Sequence, residues 1–472
     1  MSLSPTYIDL FAGAGGLSEG FIRAGYKPLA HVENDKAACF TLKTRLAYHY
    51  LKENKNLAPY IDYLKGNISR SDLYSLIPEE LLSTVINKTI GVDNKVIFKE
   101  IDILSGKKEV DLIIGGPPCQ AYSLVGRARS DDGMKRDPRN HLYVQYAGYL
   151  EKYKPKYFVF ENVLGLKSAK KGTYLLNMKK LFLKKGYRIN LYTLSANNFG
   201  VLQNRRRIII LGCREDIITD LPDLEAIRMP SDFKVESIFK DLPIISAGEG
   251  LDKFSSYRTE SNKYLDQKSI RNGIDILTQH IARPHSEQDK KIYRIAVNKW
   301  DRKGQRLDYN DLPEFLKTHK NRNSFIDRFK VVAQDLNYSH TVVAHIAKDG
   351  HYYIHPDLNQ NRSISVREAA RLQSFSDDYY FEGIKESANR TAAFKQIGNA
   401  VPPLIFIWYL RIDSSSFAVL AMTVHLIRFC LNPKTDIPFL QCHSEKQSDE
   451  AICQSLSEAP GRSAWFTVHC IS

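Results

Sequence analysis

Cys119 is the side chain with the most chemistry to offer. It stands in Gly115-Gly116-Pro117-Pro118-Cys119-Gln120, directly after the apolar run 112–114. Two prolines stiffen that turn, and a turn following a buried strand lies at the carboxyl edge of a sheet, where α/β proteins bind ligands. A deprotonated thiol there can act as a nucleophile. A lone cysteine is more often a packed core residue, but the Gly-Gly-Pro-Pro flank argues against packing here. Glu161, in Phe160-Glu161-Asn162-Val163, closes the next apolar run and is expected at the same edge, where an acid beside a nucleophile suits proton donation. Gln203-Asn204-Arg205-Arg206-Arg207 enters a further strand, and alternation sends Arg205 and Arg207 to one face and Arg206 to the other. Paired arginines there can order an acidic site or meet phosphate.

A second group of residues suits a nucleotide-like ligand. Asp9-Leu10-Phe11-Ala12-Gly13-Ala14-Gly15-Gly16-Leu17 follows a strand and opens a helix, so its glycines let a ligand approach backbone at a helix N-terminus. The turn is not the GxGxxG of a dinucleotide site, and a tight connection alone explains many such turns. The next strand ends in Glu33 and the third, over 96–101, leads into Asp102. Acids at successive strand ends can accept hydrogen bonds from ribose hydroxyls and an adenine amino group.

These residues require a sheet to position them. Strands are expected at 7–10, 29–33, 96–101, 111–115, 157–161, 188–195 and 207–212, with helices at 17–24, 36–51, 141–153 and 174–185, an alternation that reads as α/β. Residues 52–94 read as a polar, helical insertion without chemistry. From 215 to 360 the periodicity is lost, and a separate, smaller domain is expected. Between Lys253 and Lys330 there are 18 Lys plus Arg against 10 Asp plus Glu, interleaved with Tyr257, Tyr264, Tyr293, Trp300 and Tyr309. A net charge of +14 over 472 residues points to a polyanionic partner. Seven cysteines without a CxxC pair give neither a metal site nor a disulfide framework. The start of the chain has no room for a secretory leader, so a cytoplasmic protein is expected.

Taken in order, these blocks resemble the DNA (cytosine-5-)-methyltransferase family, from the turn at Phe11 through Pro118-Cys119-Gln120, Glu161-Asn162-Val163, Gln203 to Arg207, the run Arg362 to Gln373, and Gln396-Ile397-Gly398-Asn399-Ala400-Val401-Pro402-Pro403. The resemblance covers residues 7–214 and 361–404. It implies a Rossmann-like, S-adenosylmethionine-dependent methyltransferase sheet (1–214 with 361–410) and a smaller target-recognition domain (215–360). By resemblance, Cys119 adds to C6 of a cytosine extruded from the duplex, Glu161 holds and protonates N3, Arg205 supports O2 and Glu161, and Arg207 stands behind them. The cofactor set is Phe11, Gly13, Gly15, Gly16, Glu33, Asp102, Ile103, Pro118, Asn399 and Val401. The basic segment 122–140 resembles a mobile catalytic loop. The implied partner is double-stranded DNA bound by a monomer. A restriction endonuclease is implied as a functional counterpart without a stable complex, and no membrane is implied.

Two other readings are weighed: a tRNA cytosine methyltransferase and a non-catalytic DNA-binding relative. Cys119, Glu161 and Arg205 together argue against the second, and the large basic middle region argues against the first. The tail 411–472 departs from the family, with four cysteines and no pattern, and reads as sequence appended after a break in the reading frame near 410. Charged residues interrupt its apolar stretch, so it is not expected to span a membrane.

Overall fold

Apolar runs without alternation, such as Leu112-Ile113-Ile114, are what a strand buried on both faces requires. They build a seven-stranded sheet in the computed structural model, which describes residues 4–106, 108–118, 141–218, 221–226, 228–386 and 389–407. The strands are β1 (Thr6–Leu10), β2 (Lys27–Glu33), β3 (Val85–Asn87), β4 (Leu112–Gly115), β5 (Tyr157–Val163), β6 (Tyr187–Ser195) and β7 (Arg206–Arg214), in the order β3-β2-β1-β4-β5-β7-β6. The first five are parallel; β7 runs antiparallel between β5 and β6. Helix α1 (Gly16–Arg23) follows β1, and α2 (Lys36–Glu53) follows β2, capped by the Asp35 carboxylate accepting from the amides of Ala37 and Ala38.

The third strand is not where the sequence suggests. Residues 96–101 lie inside a helix, Asn94–Ser105, and the strand is Val85–Asn87, within the supposed insertion. The apolar, partly β-branched composition of 96–104 mimics a strand, but its buried residues Ile97 and Ile101 are spaced by four, which lines one face of a helix. Gly106 stops the helix in a left-handed cap, φ 54°. The insertion also has a structural role. Tyr48, Tyr60, Tyr63, Leu73 and Ile77 form a core with Tyr380 from the far end of the chain, and Arg70 donates to Glu382 and to the carbonyls of Gly383 and Ile384.

Residues 361–383 are buried throughout despite their charges. Arg362 meets both Glu368 oxygens at 2.7 Å, and Arg371 bridges Asp241 (2.6 Å) and Asp377 (2.5 Å). Burial alone would raise the Glu368 carboxyl; Arg362 and His355 outweigh it and hold it well below the ordinary range. Leu202, Ile238, Tyr264, Val342, Ile364 and Phe394 share one apolar core, so much of the middle region packs directly on this block. A second, smaller core gathers Ile292, Tyr293, Val297, Tyr309, Leu316 and Phe329 around helix Glu287–Lys303, whose first turn carries Glu287 and Asp289 and whose last carries Arg302 and Lys303. Among the described residues no helix is long and apolar enough to cross a membrane. The tail beyond 407 and the segment 119–140, including Cys119, lie outside the described residues.

Candidate active site

The sheet reverses its winding between β1 and β4, and Leu10 pairs with Gly115 there, so the turn after β1 and the turn leading to Cys119 leave the sheet side by side. Such a switch point is where open α/β sheets bind ligands. In the first turn Phe11, Gly13 and Gly15 take positive φ (60°, 56°, 77°) while Ala12 and Ala14 do not. The left-handed residues fold the turn back on itself, and its amides are spent on protein acceptors: Ala12 donates to the Val32 carbonyl at 3.1 Å and Gly15 to the Ala12 carbonyl at 2.9 Å. The Gly13 amide donates to Glu33 Oε2 at 2.8 Å, and the amides of Asn34 and Asp35 donate to Glu33 Oε1. Burial pushes the Glu33 carboxyl above its ordinary value. Asp9, near the end of β1, is buried with an Oδ2 that has no hydrogen-bond partner; burial and then Glu33 push its carboxyl well up. No atom lies within 4 Å of where a Cβ on Gly13 would stand. An orphaned buried acceptor on the strand that leads into this turn, with the Glu33 carboxylate bonded to the turn, fits a ligand with a cationic group and hydroxyls.

The far end of the chain closes this turn. A Cβ on Gly16 would stand 2.3 Å from the Val401 carbonyl, so only glycine permits that approach. Val401 is buried in a core with Leu17 and Phe21, whereas the Asn399 side chain, ending helix Arg390–Asn399, is exposed. Pro118 is exposed at the edge of the second turn.

That turn brings the acid against the backbone that leads to Cys119. A Cβ on Gly116 would stand 2.8 Å from Glu161 Oε2, which places the carboxylate against backbone three residues before Cys119. Glu161 lies within β5, two residues short of its end, and Asn162 accepts from the Val163 amide and reaches the Pro117 carbonyl at 3.4 Å. The arginine that meets Glu161 is Arg207, with Nε 2.7 Å from Oε1. Arg205 instead donates to the carbonyls of Val342 (2.7 Å), Gly398 (3.2 Å) and Asn399 (3.5 Å). It precedes β7, so the strand parity that paired it with Arg207 does not reach it. Among the contacts the structure describes, Arg207 rather than Arg205 stands against Glu161.

Asp102 and Ile103 are corrected too. Both sit on the outer face of the helix Asn94–Ser105: Asp102 pairs with Lys152 at 2.8 Å in solvent, and Ile103 is 69% exposed. Beside Glu33, in register with it, stands Asn87, whose amide donates to the carbonyls of Glu33 and Asn34. Sequence reasoning missed Asn87 because three residues make too short a strand to see, and missed Asp9 although it borders the Gly-rich turn. The described cysteines, Cys39 and Cys213, are buried, and burial lifts the Cys39 thiol to about 12, so neither offers a thiolate.

Residues 6–63 and 84–409 match the model of the C-5 cytosine-specific DNA methylase family. The chain belongs to that family. The methylase is 41% identical over 435 residues to the type II methyltransferase M.Bpa9945I of Bacillus paralicheniformis, covering 84% of this chain and 96% of that one. It is 31% identical to M.DdeI of Desulfomicrobium norvegicum, with 84% and 86% covered. A crystal structure of a DNA modification methyltransferase encoded within an E. coli prophage superposes with a TM-score of 0.57 at 22% identity, covering 86% of this chain and 98% of that one, and shares the fold. The methylase is a DNA cytosine-5-methyltransferase, acting on DNA and consuming a methyl donor.

Proposed function

We propose that the methylase takes S-adenosylmethionine as its donor and methylates C5 of a cytosine extruded from a specific duplex site, as the cytoplasmic, monomeric modification partner of a restriction endonuclease it does not stably bind. S-adenosylmethionine supplies the methyl group and departs as the thioether. The Cys119 thiolate adds to C6 and pushes electrons to C5, while Glu161, having taken up a proton in its acid form, gives that proton to N3 and is left as the carboxylate that Arg207 holds. C5 then takes the methyl group, a base removes the C5 proton, the C6–S bond breaks to return the thiolate, and N3 gives its proton back to Glu161. Arg207 keeps the Glu161 carboxylate aimed at the base. Extrusion costs a few kcal/mol, about what pocket contacts must return.

For the donor, the Phe11 ring and the side-chain-free backbone of Gly13, Gly15 and Gly16 would form the floor, Glu33 would take the ribose and Asp9 the ammonium, with Pro118, Asn399 and Val401 at the rim. Residues 215–360 would read the DNA, a role supported by their basic excess and by the small core around helix Glu287–Lys303. The observation that carries the mechanism is the Glu161 carboxylate held by Arg207 against Gly116, three residues from Cys119.

Labelled methyl transfer to duplex DNA, with tRNA as the competing substrate, tests the reading. Cys119→Ala is expected to abolish transfer while leaving donor binding nearly intact; residual wild-type activity in that variant would refute the nucleophile.

A further inference from the structure

A turn with three left-handed residues, one of them the non-glycine Phe11, costs of order 1–3 kcal/mol at that residue and persists only where its surroundings hold it. Two side chains among the described residues bind this turn. Glu33 takes the Gly13 amide, and Tyr379, 365 positions away from its partner, donates its hydroxyl to the Ala14 carbonyl. A Cβ on Gly15 would stand 3.0 Å from the same hydroxyl. Tyr379 is itself immobilised: it is 1% exposed, its ring lies 4.8 Å from Phe375 and 5.2 Å from Phe381, and the Arg45 guanidinium sits 4.7 Å above it. Arg45 is in turn fixed by Glu19, from α1, at 2.6 Å and by Asp378 at 3.2 Å.

We propose that Tyr379 is a positioning residue for the methyl donor: by tying back the Ala14 carbonyl it holds the 11–16 turn, with its three left-handed residues, in the shape that meets the ligand. This rests on the reading of that turn as the S-adenosylmethionine site. The hydroxyl touches neither donor nor base. Its removal therefore acts on donor affinity and leaves the chemical step and DNA binding alone.

The test uses the full chain with Tyr379→Phe, which keeps the packing and deletes the buried hydrogen bond, beside Tyr380→Phe, which deletes a partly buried bond, to Asp252, away from the turn. Calorimetry with S-adenosylmethionine is expected to show Kd raised about tenfold in Tyr379→Phe, the scale of one buried hydrogen bond, with kcat at saturating donor and DNA affinity within twofold of wild type. Tyr380→Phe is expected to leave Kd unchanged. Hydrogen exchange at the amides of residues 12–16 should quicken only in Tyr379→Phe. Unchanged Kd and exchange in Tyr379→Phe overturn the proposal. So does a Tyr379→Phe chain that is unfolded while Tyr380→Phe is folded, since the role is then structural. If wild type binds no S-adenosylmethionine, the donor reading fails, and the exchange comparison, which needs no ligand, still decides whether Tyr379 holds the turn.

Discussion

Two arginines two positions apart meet different partners because one lies on β7 and the other before it. Arg207 faces Glu161 across paired strands, while the guanidinium of Arg205 is wholly buried among backbone carbonyls of residues 342, 398 and 399. Arg207→Ala is expected to lower kcat by about 100-fold or more with little change in thermal midpoint, the cost of losing a group that orders charge at a reacting centre. Arg205→Ala should instead cost about 2–4 kcal/mol of stability, because it strands buried acceptors. Paired kinetics and denaturant unfolding of the two variants check this, and the reverse pattern would restore the assignment drawn from strand parity. Parity was readable from residue types; which arginine lies inside the strand was not, since that depends on where pairing with β5 begins.

At the scale of elements, most of the sheet was legible because strands buried on both faces are short apolar blocks flanked by turn residues. β3 was not, because Val85-Ile86-Asn87 offers only two apolar residues, while the helix that follows is rich in isoleucine. The misplacement moved a functional assignment with it, from the neighbourhood of Glu33 to a solvent-exposed helix face. Asp102→Asn is therefore expected to leave donor Kd and stability essentially unchanged, as an exposed pair with Lys152 contributes about 0–1 kcal/mol. Glu33→Gln should weaken donor binding about tenfold or more by removing the carboxylate that accepts three backbone amides. Equal effects of the two substitutions in calorimetry would reinstate Asp102 as a ligand contact. The resemblance also led to the expectation of a separate domain at 215–360, but not to the finding that residues from both ends of that segment share a core with residues 361–400. That core is assembled from positions too far apart in sequence for periodicity to connect.

Over the whole molecule, buried titratable groups set the response to acid. His31, His280, His285 and His340 are each pushed down to about 4, burial being the largest cause. Unfolded histidine titrates near pH 6.5, so the unfolded chain binds the extra protons; the stability these residues contribute is full above about pH 6.5 and is lost as pH falls toward 4. The raised carboxyls of Asp9, Glu33 and Glu382 act in the opposite sense and offset part of this. The thermal midpoint is expected to drop between about pH 6.5 and about pH 4.5, before the arginine-paired carboxylates of Glu368, Asp377 and Asp378 begin to protonate. A flat midpoint across that range would show that the histidines are charged in the folded state.

The approach of the Val401 carbonyl to Gly16 and the bond from Tyr379 to Ala14 also fix an order of events during synthesis. A ribosome releases the 11–16 turn first and its two braces more than 350 residues later, after every residue of the segment proposed to read DNA. Domains fold as they emerge, yet this pocket cannot be finished by its own half of the sheet. If this turn holds the donor and residues 215–360 read DNA, as proposed, a nascent chain completes its donor pocket only after its sequence reader has been made.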